Sequence, residues 1–78
     1  MDKDLLVTIN TIEKVNRFVK IANEFDCDID VTSERYVLNA KSILGILSLN
    51  LLEPIKVVVH SNNKEIIEKF NESMEEFK

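Results

Sequence analysis

Ala40-Lys41-Ser42-Ile43-Leu44-Gly45-Ile46-Leu47-Ser48-Leu49-Asn50 is the most apolar run of this 78-residue chain, yet it opens on a lysine and a serine and holds the only glycine. Ser42 is a good N-cap, because its hydroxyl accepts a backbone N–H that the first helical turn leaves unpaired. Asn50 tolerates the left-handed conformation that ends a short helix, so the spacing predicts about two turns between them. Ile46 and Leu49, three apart, form one face, and Ile43, Leu44 and Leu47 form another. A helix this apolar cannot hide every side chain in so small a protein, so another segment or a partner covers the second face.

Working outward, Leu51-Leu52-Glu53-Pro54 connects to a strand, which Pro54 suits because a missing N–H is harmless at a strand start. Ile55, Val57 and Val59 face inward, opposite Lys56, Val58 and His60. A last helix begins near Asn62 or Asn63, with Ile66, Ile67, Phe70, Met74 and Phe77 as its buried stripe. On the N-terminal side, Tyr36 to Ala40 reads as a strand with Leu38 and Ala40 inward. A turn over Thr32-Ser33-Glu34-Arg35 joins it to Asp28–Thr32, where Cys27, Ile29 and Val31 alternate with Asp28, Asp30 and Thr32. Earlier still, Leu5 to Asn10 is a strand with Leu5, Val7 and Ile9 on one face. Asn10 or Thr11 then caps a helix, and Asn10-x-x-Glu13 has the spacing of a capping box. Ile12, Val15, Phe18, Val19, Ala22 and Phe25 give that helix its apolar stripe, with Arg17, Lys20 and Asn23 on the wet side. The order is strand, helix, strand, strand, helix, strand, helix. Four short strands with helices on one face make a two-layer α+β sandwich.

Composition agrees with a single small domain over residues 1–78. A hydrophobic content of 45% with one glycine and one proline describes an ordered globule. No apolar run approaches the ~20 residues that span a bilayer. Met1-Asp2-Lys3-Asp4 lacks a signal-peptide layout, and the single cysteine forms no internal disulfide, so the expected compartment is the cytoplasm. A net charge of −4 without a basic stripe argues against nucleic acid as a partner.

The stretch Lys41-Ser42-Ile43-Leu44-Gly45-Ile46-Leu47-Ser48-Leu49 resembles the regulatory-serine helix of HPr, the histidine-containing phosphocarrier of the bacterial sugar phosphotransferase system. Length and element order extend the resemblance over most of the chain. It implies the HPr-like open-faced β-sandwich, βαββαβα, with one antiparallel sheet of order 1-4-2-3 and three helices on one face. It also implies that Ser42 is a regulatory phosphorylation site for a dedicated HPr kinase, and that Ile43, Leu44 and Leu47 resemble the docking surface for that kinase, the phosphodonor enzyme and a transcriptional regulator of carbon use. A phosphate on Ser42 would gain unpaired N–H groups and the helix dipole, and Lys41 would add a cation. In place of the family's glycine-rich connector stand Leu51 and Leu52, two more leucines beside the patch. That favours a protein partner or a homodimer.

The resemblance fails at the phosphate acceptor. The family carries a histidine in a His-x-Arg-Pro setting at the start of the first helix, and here no histidine precedes position 60. Aligned back from Phe25, the histidine falls on Thr11, the arginine on Glu13 and the proline on Lys14. Aligned forward from the first strand, the loop is about three residues short. Both alignments remove the nucleophilic nitrogen. Glu13 occupies the favourable end of the dipole and repels phosphate. A threonine phosphate ester is too stable to pass its phosphoryl group on. His60 lies on the outward side of its strand, far from that helix start.

Other constellations are weaker. Asp26-x-Asp28-x-Asp30 has the start of a calcium loop, but Val31 and Val37 stand where glycine and glutamate are needed. Cys27 is flanked by two aspartates and suits a buried thiol beside Ile29. The acidic run from Glu65 to Glu76 is a solvated helix face. No catalytic triad, metal cluster or cofactor motif is present, and the expectation is a protein that is not an enzyme. Two readings follow. One is a non-catalytic HPr-like regulatory protein that binds through Ile43, Leu44, Leu47 and Leu51 under control of Ser42. The other is a structural or self-associating module that kept the fold without phosphorylation.

Overall fold

The computed structural model describes residues 4–33 and 36–78 of the chain, Asp4 by its backbone alone. Glu34 and Arg35 of the expected turn, and Met1 to Lys3, lie outside the described residues. The elements run β1 (Asp4–Val7), α1 (Ile12–Asn23), β2 (Asp28–Ser33), β3 (Tyr36–Asn39), α2 (Ile43–Leu47), β4 (Ile55–His60) and α3 (Lys64–Ser73). A closing 3₁₀ turn covers Glu75–Phe77. All strand pairs are antiparallel and the sheet order is β1-β4-β2-β3, as the resemblance implies.

Period-two alternation places the core. Val7 and Ile9, Ile29 and Val31, and Ile55, Val57 and Val59 are all buried under the helices. Val15, Phe18, Val19 and Ala22 of α1 and Phe70 of α3 fill the second layer, with Met74 and Phe77 just beyond α3. Two edge-to-face aromatic pairs hold the helical layer together: Phe18 with Phe77 at 5.9 Å and Phe25 with Phe70 at 5.4 Å.

The details depart from expectation where backbone groups find other partners. β1 ends at Val7, short of Asn10, because its partner β4 begins at Ile55, opposite Val7, and the Thr8 N–H on the outer edge is held by the Phe77 carbonyl at 2.7 Å. Ile12 is 64% exposed, since the first turn of α1 projects before the helix settles on the sheet, and the buried stripe starts at Val15. Phe25 lies past the end of α1 and is half-buried. The capping box does not form. Thr11 is the N-cap and Lys14 stands at its third helical position, while Asn10 Oδ1 accepts from Lys14 Nζ at 3.5 Å. Ile66 and Ile67 are half-buried, and Phe77 belongs to the 3₁₀ turn.

Candidate functional site

Five residues make a helix too short to stand by propensity alone, so α2 depends on packing. Ile46 is fully buried and Leu49 half-buried, and they anchor the helix to the core. Ser42 is its N-cap and accepts from the Gly45 N–H at 3.4 Å. The helix closes earlier than its sequence suggests. Ser48 is the C-cap in right-handed conformation, its hydroxyl donating to the Gly45 carbonyl at 2.6 Å. Asn50 instead turns the following chain, accepting from the Leu52 N–H at 3.2 Å.

The second face is open to solvent, and no other segment among the described residues covers it. Ile43 and Leu47 are exposed and Leu44 is 79% exposed. Leu51 is half-buried against the core and does not join them, whereas its neighbour Leu52 is 82% exposed. Tyr36 is exposed too and shares a shallow depression with Ser33, Ser48, Leu49 and Asn50.

Lys41 is differently employed than its position beside Ser42 suggests. Its ammonium donates to the Phe25 carbonyl at 2.6 Å, and its carbonyl accepts from Asn23 Nδ2 at 3.4 Å. Its own N–H donates to Asn39 Oδ1 at 2.8 Å. The lysine therefore fastens the start of α2 to the far end of α1, where a cation meets the negative end of the helix dipole. Charge added at Ser42 would be met first by the N–H groups of the helix start. The signal for this was absent from the local sequence, since Lys41 and Phe25 are 16 residues apart.

The start of α1 is built alike and furnished differently. Thr11 Oγ1 accepts from the Lys14 N–H at 3.1 Å, and Glu13 occupies the first turn. Arg17, one turn on, forms an ion pair with Glu76 of the C-terminal turn. His60 lies elsewhere. The register sets the end of β1 against Ile55 and the start of β2 against His60. The length of β4 thus puts about 17 Å between His60 and the strand end that feeds α1. His60 projects from the sheet face away from the helices, and its Nε2 donates to Asp30 Oδ2 at 2.8 Å. Sequence reasoning misses this pair because Asp30 and His60 meet only once β2 and β4 are neighbours. Asp28 and Asp30 line the same open strand face, not a loop, which removes the calcium-loop reading. Cys27 is half-buried against the core. Among the described residues there is no group of three His, Cys, Asp or Glu side chains fit to hold a metal ion. Among the same residues no helix is long and apolar enough to cross a membrane.

A family model described as "PTS HPr component phosphorylation site" matches residues 13–76, a span that begins after Thr11 and includes Ser42. The crystal structure of HPr-C-His from Thermoanaerobacter tengcongensis superposes with a TM-score of 0.75 at 26% identity, covering 95% of this chain and 92% of that one. The phosphocarrier protein HPr from Bacillus anthracis str. Ames shares the fold, with a TM-score of 0.72, 24% identity, and coverage of 97% and 94% respectively. No curated protein matches the chain.

Proposed function

Since the chain belongs to the HPr family, whose proteins are phosphocarriers and not enzymes, we propose that this member works as a non-catalytic regulatory protein of the phosphotransferase type. It binds protein partners through Ile43, Leu44 and Leu47, with Leu52 at the margin, and phosphorylation of Ser42 switches that binding. The observation that supports this is a contrast within one molecule. The single histidine sits on the open sheet face, held by Asp30, at the end of β4 remote from the start of α1. Ser42 instead keeps an exposed hydroxyl beside an apolar surface.

The physical logic of the switch is local. A phosphoserine carries roughly −1.5 to −2 charges at neutral pH and three acceptor oxygens. Set beside Ile43, it converts the edge of an apolar surface into an anionic one, so a partner that buries the leucines must either supply a cation or lose affinity. A kinase or a transcriptional regulator of the family is the kind of partner such a surface suits. A phosphoryl group at Thr11 would sit next to Glu13 and form an ester too inert for onward transfer.

The test is direct. Incubation with an HPr kinase and ATP is expected to add one phosphate, and Ser42→Ala to abolish the mass shift. Incubation with the system's phosphodonor enzyme and phosphoenolpyruvate is expected to leave the protein unlabelled. Acid-labile phosphate on this chain would overturn the reading, and so would failure of the kinase to modify it. In the competing reading the leucine surface closes a homodimer without modification, in which case Leu44→Glu would abolish dimers seen by light scattering.

A further inference from the structure

The two edges of the sheet are finished differently. On β1, the Thr8 N–H that faces outward is held by the Phe77 carbonyl, so the C-terminal turn lies against that edge. On β3 the ladder phase follows from the Ala40 N–H donating to the Ile29 carbonyl at 2.8 Å. In an antiparallel pair the hydrogen-bonded positions alternate. Tyr36 and Leu38 therefore aim their N–H and C=O at β2, while Val37 aims both of its groups away from the sheet. Asn39 aims outward as well, but its carbonyl already accepts from the Ser42 N–H at 3.0 Å.

The side chains of this edge are unusual for a strand that faces water. Tyr36-Val37-Leu38-Asn39 carries no charge, no proline and no lysine, the devices that ordinarily discourage edge pairing. Tyr36 is 63% exposed on the helix side and Val37 64% exposed on the open side. Both faces of the strand are thus short of neighbours at once.

We propose that β3 is a self-association edge, on which a second copy of this chain pairs antiparallel about a two-fold axis through Val37. That single operation pairs both outward backbone groups of Val37 and covers the exposed side chains of Tyr36 and Val37. The Val37 N–H donates to the carbonyl of its mate, and the bond is returned. The two Val37 side chains meet on the open face, and each Tyr36 lies across from the other copy's Leu38 on the helix side. The uncharged strand brings no like charges together, although each chain carries a net −4. The symmetry closes the assembly at two, because the same patch serves both copies. The contact is smaller than the ~1,200 Å² of a standard interface, so the dimer is weak and reversible. The paired residues do not include Ile43, Leu44 or Leu47, and the inference does not rest on Ser42.

Sedimentation of the full chain tests it. The average mass is expected to rise from monomer toward dimer between about 10 μM and about 1 mM, the range a small interface covers. Val37→Pro removes only an outward N–H and leaves the β2 ladder intact, so the circular dichroism of the fold should survive while dimerisation weakens at least about tenfold. Val37→Lys, which places two ammonium groups face to face, should do the same and decides the matter if the proline variant fails to fold. Leu44→Glu on α2 should leave dimerisation unchanged. A mass that stays monomeric throughout would overturn the proposal. A dimer that keeps its affinity in a folded Val37 variant, or that disappears with Leu44→Glu, would do so too.

Discussion

The starts of α1 and α2 solve one problem with one chemistry and then part company. Each helix opens on a hydroxyl residue in extended conformation whose oxygen accepts the N–H three residues on: Thr11 from Lys14 at 3.1 Å, Ser42 from Gly45 at 3.4 Å. α1 then runs twelve residues with a buried stripe of its own, an acid in its first turn and an arginine tied to the C-terminal turn. α2 runs five, with no acid in its first turn, one fully buried residue and an exposed apolar face. The difference separates a helix that builds the core from one that is held by it. The start of α1 is exposed as well, at Thr11, Ile12 and Glu13, but what it presents is one isoleucine beside an acid. α2, pinned by a single isoleucine and a lysine tether, keeps most of its surface for something else.

The sharpest way to break this comparison is to pull the pin. Ile46→Ala is expected to cost about 2–5 kcal/mol in urea unfolding, the range for emptying a fully buried aliphatic site. A loss well below that would mean α2 is secured by the Lys41 tether instead. Thr11→Ala comes next, at about 1 kcal/mol, because it uncaps a long helix whose first turn is exposed. Gly45→Ala should act in the opposite direction and raise stability by about 0.5–1 kcal/mol. A β-carbon there would meet Ser42 Oγ at 3.5 Å and Leu38 Cδ1 at 3.7 Å, ordinary contacts that demand no movement. Thermal melting would reveal a loss instead if that space is tighter than it looks. The smallest effect belongs to Ser42→Ala. With its longer bond and a helix held elsewhere, the change is expected to stay below about 0.5 kcal/mol. A cost equal to that of Thr11→Ala would make Ser42 a structural cap first and weaken its reading as a switch.

Most of the architecture was legible because alternation and helical spacing both survive in a short chain. Val7, Ile29, Val31, Ile55, Val57 and Val59 are inward by parity alone, and Val15, Phe18, Val19 and Ala22 by their three- and four-residue spacing. The same spacing set Ile43, Leu44 and Leu47 apart from Ile46 and Leu49, but that no other described segment covers them is seen only in the fold. Element ends were not. Ile12 continues the apolar spacing of α1 yet projects into water, and Asn50 carries the right chemistry for a cap that Ser48 provides instead. Both depend on where the helix meets the sheet, which local pattern does not encode. Leu51 and Leu52 are indistinguishable as letters, and only the path of the connector turns one inward and the other out.

By itself the sequence determined the element order, the two layers, most of the core and the absence of any histidine before position 60. Each of these depends on residue type and spacing along the chain, which composition and periodicity carry in full. Only the tertiary structure decided that the Lys41 ammonium belongs to the Phe25 carbonyl, that Asp30 holds His60, and that Val37 turns its backbone outward from an uncharged edge. Those facts join residues far apart in the chain or fix the phase of a hydrogen-bond ladder. Neither exists until the strands are in register.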